Sequence, residues 1–169
     1  MRNIFVDGYN VINAWPGLRE IVQYSLDSAR QQLIETLQNY ASYKGYRVFI
    51  VFDAHMRKGS LEKKEDYSGV TVVYTKEGET ADSYIEKTVN NIGRKIEVFV
   101  VTSDNLEQQL AFQRGAIRMS SAEFYFEVKE IEQKIRIKAE KRTSIKRNRI
   151  EDSLEKEVWE KLEKIRRNR

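Results

Sequence analysis

Cysteine is absent from all 169 residues, and histidine occurs once, at His55. The first absence excludes disulfides, thiolate nucleophiles and Cys-based zinc or iron–sulfur sites. The second leaves no multi-histidine metal site within one chain, so any bound metal would be a hard ion held by oxygen. Proline occurs only as Pro16, and there is no internal repeat. Long apolar runs are missing too. The longest spans residues 48–52, far short of the roughly 20 needed to cross a bilayer, and the start of the chain has no signal-peptide pattern. The expectation is a cytoplasmic protein without membrane partners.

Charge is plentiful but unevenly placed. Residues 129–169 carry 15 Lys/Arg against 9 Asp/Glu, a net +6, which leaves residues 1–128 at −2 within an overall +4. A mildly acidic body with a basic tail suits a polyanionic partner, and equally suits a solvated, salt-bridged helix.

Four β-rich runs, at residues 3–6, 47–52, 69–75 and 97–101, are separated by helical patterns. That alternation predicts an α/β fold with a parallel sheet covered by helices. Ser28 and Gln31 resemble a capping box opening a helix with Ala29, Leu33, Leu37 and Ala41 on one face, closed by Gly45. Ala81, Ile85, Val89 and Ile92 form a second stripe ending at Gly93, and Asp104 caps a third helix with Leu106 and Leu110. A short fifth strand at 116–118 leads to Ser120 and Glu123, a capping box before a helix with Phe124, Val128, Ile131 and Ile135 on one face. The spacing lapses beyond Ala139, reading as a basic linker or frayed helix end, and resumes with Leu154, Val158, Leu162 and Ile165. The expected division is 1–138 for the body and 139–169 for a basic helical extension.

The carboxylates fall where the strands end. Asp7 follows the first strand in "VDGYN", where Gly8 and Asn10 suit a tight turn, Asp53 follows the second in "VFDAH", and Asp104 follows the fourth in "VVTSD". Asp82 opens the helix after the third, with Glu86 four residues on along the same face. In open α/β sheets this carboxyl edge binds ligands near the point where strand order reverses. In a 3-2-1-4-5 order, Asp7 and Asp104 flank that point. Several acids crowded there repel one another unless a cation neutralises them, and oxygen-only ligation suits Mg²⁺ or Mn²⁺. Such an ion activates water for attack on phosphorus. Taken singly, Asp82 and Asp104 are equally readable as helix caps or first-turn acids, and Asp53 as an exposed loop residue.

These stretches, with "KEGETADSYIE", "NAWP", "KGSLEKK" and "GAIRMSSAEF", resemble the NYN-domain ribonucleases, a branch of the PIN-like nucleases, and in particular the YacP-like group. The resemblance covers nearly the whole chain. It implies a Rossmann-like PIN/NYN three-layer fold and the activity of an endoribonuclease that associates with the ribosome and cuts mRNA during translation. Carried over, it makes Asp7, Asp82 and Asp104 metal ligands and catalytic residues, with Asn10 shaping the site. Asp53, Glu79 and Glu86 lie in matching stretches and either touch metal or hold those that do. Thr102 and Ser103 offer hydroxyls to a metal water or phosphate, or are ordinary strand-end residues.

To grip RNA, Arg57, Lys58, Lys63, Lys64 and Lys76 belong to segments expected to open onto the acidic edge, the first four in a long loop. Tyr9, Trp15 and Tyr84 either stack on bases or pack. His55 is read as a loop or RNA-contact residue. Two alternatives stand beside the nuclease: a non-catalytic RNA- or ribosome-binding module, and a metal-dependent phosphatase. A phosphoaspartate mechanism would want a second acid two residues after Asp7, where Tyr9 stands.

Overall fold

The computed structural model describes residues 1–54, 59–103 and 115–167. In chain order the elements are β1 (Arg2–Asp7), α1 (Gly8–Ala14), α2 (Pro16–Val22), α3 (Leu26–Lys44), β2 (Arg47–Phe52) and β3 (Lys63–Tyr67). Then follow β4 (Val70–Tyr74), α4 (Ala81–Ile92), β5 (Glu97–Val101), β6 (Ile117–Met119) and α5 (Ser121–Arg167). Six strands form one sheet in the order β3-β4-β2-β1-β5-β6. All neighbouring pairs are parallel except β3 with β4. The parallel strands, β4-β2-β1-β5-β6, reproduce the 3-2-1-4-5 order. Their carboxyl ends therefore share one edge.

Strand side chains alternate between faces, so both faces of β1 are apolar because both are covered. Phe5, Val51, Val73, Val98 and Val100 pack on one side with Ala81, Tyr84, Ile85 and Val89 of α4. On the other side α3 lies against β2 and β4, and the buried Tyr40 of α3 meets Phe124 of α5 edge-on at 5.4 Å. Burying a large apolar side chain stabilises by roughly 1.5–3 kcal/mol, so the two packed faces hold the sheet between helices.

The structure departs from the sequence expectations in four places, the last of them in the stretch 140–153. The helix predicted to open at Ser28 begins three residues earlier, because Ser25 is its cap and the Ser28 amide donates to the Ser25 hydroxyl at 3.2 Å. The "DGYN" stretch is the start of α1 rather than a turn, with Gly8 outside the left-handed region. The long loop after β2 contains β3, which pairs Lys63 with Tyr74 and Tyr67 with Val70. A strand written KKEDY has no apolar alternation, yet charge on an edge strand is a common guard against further pairing.

The predicted caps at Gly45 and Gly93 are present; Gly45 has φ of 67° and its amide bonds the Ala41 carbonyl. The Ser120–Glu123 box is present in both directions, at 3.1 and 2.7 Å. By contacts the chain divides into Met1–Ile131, which holds the sheet, and Glu132–Arg169. The stretch 140–153, where apolar spacing lapses, is helical as part of α5. No helix among the described residues is long and apolar enough to cross a membrane.

Candidate functional site

Asp7 is the last residue of β1 and caps α1, its Oδ1 accepting from the Asn10 amide at 3.3 Å. A helix N-terminus offers unpaired N–H groups, which partly compensates a half-buried carboxylate. Gly8 then has a definite task. A Cβ there would stand 2.3 Å from a ring carbon of the fully buried Phe52, so only glycine lets α1 leave the sheet at this angle.

Asn10 joins three segments. Its Oδ1 accepts from the Ser103 amide at 3.0 Å and from the Ser121 hydroxyl at 2.7 Å. The end of β5, the first turn of α1 and the start of α5 are thus tied at one oxygen. Trp15, 3 % exposed, donates from Nε1 to the Ser121 carbonyl at 2.9 Å and reinforces the tie. Ser103 contributes its backbone amide here. Thr102 is buried, with its amide on the Met119 carbonyl.

A second tie organises the other flank. The buried Thr75 hydroxyl accepts from the Ala54 amide at 3.1 Å and donates to the Glu79 carbonyl at 2.7 Å. It fastens the residue after Asp53 to the loop that delivers α4. Thr80 caps α4, which places Asp82 in its first turn, half-buried, with Glu86 one turn on. The Glu79 side chain is 9 % exposed. Its Oε1 stands 3.8 Å from Lys87 Nζ, and its Oε2 is buried without a hydrogen-bond partner among the described residues.

Lys63 and Lys64 reach the acidic edge by a route different from the expected loop. Because β3 runs antiparallel, its first residues lie beside the carboxyl end of β4. Lys64 Nζ stands 5.9 Å from the Tyr84 ring centroid of α4 and 3.1 Å from Glu62. Hydrogen bonds to Glu62 and then to Tyr84 raise its pKa above the usual lysine value. Lys63 pairs with Glu65 at 2.7 Å, and Lys76 is exposed just beyond β4.

Trp15 and Tyr84 are core residues, at 3 and 7 % exposure. Tyr9 packs on Phe52 and accepts from Arg30 at 2.9 Å. Asp104, His55, Arg57 and Lys58 lie outside the described residues. Among the described residues no three acids gather closely enough to hold a metal ion. The structure thus brings Asp7, Asn10 and Ser103 into one hydrogen-bonded corner, while Asp53 follows β2, Glu79 follows β4 and Asp82 opens α4. Sequence reasoning missed Thr75 and the site role of Ser121. The second lies 111 positions from Asn10, a separation at which no local spacing signals contact.

An open, mostly parallel α/β sheet with acids at the carboxyl ends of its strands defines a Rossmann-like domain. More specifically, the chain belongs to the YacP-like NYN domain family, whose model matches residues 4–167. It is 46% identical over 168 residues to protein YacP of Bacillus subtilis (strain 168), covering 97% of this chain and 96% of that one. The crystal structure of Rae1 (YacP) from Bacillus subtilis superposes with a TM-score of 0.76 at 42% identity, covering 99% of this chain and 95% of that one. The crystal structure of a tryptophan-to-leucine mutant of the same Bacillus subtilis protein superposes at 0.72 and 40% identity, covering 84% and 83%. This membership is consistent with a nuclease or RNA-related function.

Proposed function

We propose that the chain is a metal-dependent endoribonuclease that hydrolyses single-stranded RNA internally, its substrate being mRNA engaged by the ribosome in the cytoplasm. The observation that carries the reading is the corner at the carboxyl edge, where Asp7 closes the central strand and Asn10 ties the residue next to Asp104 to it. The donor set fits a hard cation: it is all oxygen, and Glu79 keeps a buried carboxylate oxygen without a partner among the described residues. Asp7, Asp82 and Asp104 would hold Mg²⁺ or Mn²⁺, which supplies the positive charge that activates water and offsets charge on the phosphate.

The protein's own share is positioning. Asn10 fixes the β5 end through Oδ1, Thr75 fixes the loop before α4, and Asp53 and Glu86 shape the acidic surround. Lys63, Lys64 and Lys76, with Arg57 and Lys58, draw the RNA backbone to that edge. A mechanism using the 2′-hydroxyl leans on histidine-type acid and base groups, whereas this chain has one histidine; water attack would leave a 5′-phosphate and a 3′-hydroxyl.

The test is cleavage-end mapping on translated and untranslated RNA with wild type and Asp7→Asn. Asparagine caps helices about as well as aspartate, so the variant keeps α1 while removing a charge. Lost cleavage with retained RNA or ribosome binding supports the nuclease. One observation favours a second reading, a non-catalytic RNA- or ribosome-binding module: Asp7 has a structural task as a cap. Binding indifferent to EDTA, with no cleavage by wild type, would establish that module instead.

A further inference from the structure

The second half of α5 carries a stripe and a charge pattern that RNA cleavage does not use. Ile150, Leu154, Val158, Leu162 and Ile165 recur at steps of four, four, four and three along the helix, and each is 54–62 % exposed. Apolar residues at such spacing make one continuous face. The flanking charges come in blocks: residues 151–160 sum to −4, and residues 161–167 to +3. The acidic block repels phosphates, which argues against an RNA backbone or an anionic membrane covering this face.

We propose that this face docks on the same face of a second copy of the chain, with the two helices antiparallel and the two-fold axis near residues 159 and 160. In that arrangement each acidic block lies along the other copy's basic block. Leu154 meets Ile165 of the second copy, and Glu157 meets its Lys164, each contact occurring twice by symmetry. A parallel pairing would set like blocks side by side, so the charge order selects the antiparallel one.

Sedimentation equilibrium on the full chain, freed of RNA, tests this across concentrations up to the millimolar range. The expected mass rises from 20.0 kDa toward twice that value. Val158→Glu should return it to the monomer while far-UV circular dichroism holds. Glu157→Lys turns two attractive contacts repulsive and should weaken association about tenfold, and adding Lys164→Glu should restore it. A chain monomeric at every concentration, a dimer that forms only with RNA, or a dimer indifferent to Val158→Glu would overturn the proposal. So would failure of the double charge exchange to restore what the single one removed.

Discussion

At the scale of single residues, the candidate site is built by close approach and by hydrogen bonds between distant segments. Gly8 is the sharpest case. A methyl group there meets the Phe52 ring at 2.3 Å, and overpacking of this kind costs about 1–3 kcal/mol. Gly8→Ala should therefore lower the urea midpoint without changing its slope, and Gly8→Ala with Phe52→Leu should recover part of the loss. Tyr40 gives a prediction in pH. Burial, and next its hydrogen bond to Glu127 at 2.6 Å, raise its pKa far above the ordinary phenol value of 10.0. Above pH ~10 the unfolded chain gives up this proton and the folded chain keeps it, so stability is complete below that pH and falls as pH rises. Tyr40→Phe should cost about 1 kcal/mol at neutral pH and flatten the alkaline decline, which denaturation at a series of pH values reads directly.

At the scale of elements, the caps and connections decide how the acids are presented. Thr75 uses one hydroxyl twice, toward Ala54 and Glu79. Thr75→Ser keeps both bonds, whereas Thr75→Val is nearly isosteric and removes both, with an expected loss of about 1–3 kcal/mol and a lower cleavage rate than the serine variant. The box that opens α5 lowers the pKa of Glu123, chiefly through the Ser120 amide and then its hydroxyl. A depressed carboxylate stabilises above its unfolded value of 4.5 and ceases to do so as pH falls through the lower folded value. Ser120→Ala should cost about 1 kcal/mol and soften the acid-side fall of the melting temperature.

This box is legible in the sequence because both of its partners lie within four residues. The buried strands β1, β2, β4 and β5 are legible because each is an apolar run, whereas the order in which they pair shows only in the fold. The edge strand KKEDY is not legible, since its pairing with β4 stabilises it without an apolar face of its own. Nor is the Asn10–Ser121 contact, which only the fold brings together. Asp7 is legible as the acid that ends the first strand at the carboxyl edge, but its capping role shows only in the fold, where Asn10 is helical.

At the scale of the whole molecule, charge is distributed in bands rather than as a basic tail. Residues 129–150 carry +6, residues 151–160 carry −4, and the rest is basic again. If RNA or ribosome association uses the tail, the first band is the part that does so. Reversing Arg142, Lys146 and Arg149, all exposed, should weaken association. The slope of log affinity against log salt should become shallower by about 0.7 for each single-strand phosphate the tail no longer neutralises. Metal binding, measured by calorimetry, should stay unchanged. An unchanged salt series would show that the band faces solvent only.

The sheet order has a consequence for how the protein comes into being. β1 is central, with Asn3 opposite Arg47 on one side and Arg2 opposite Glu97 on the other. The strand that carries Asp7 leaves the ribosome before either neighbour and waits for some ninety further residues before its second edge is covered. Pairings this distant in sequence make for slow folding and prolonged exposure of an apolar strand. The first corner of the candidate site to be synthesised is thus among the last to be assembled. The nascent chain gains its acidic edge only once β5 has emerged.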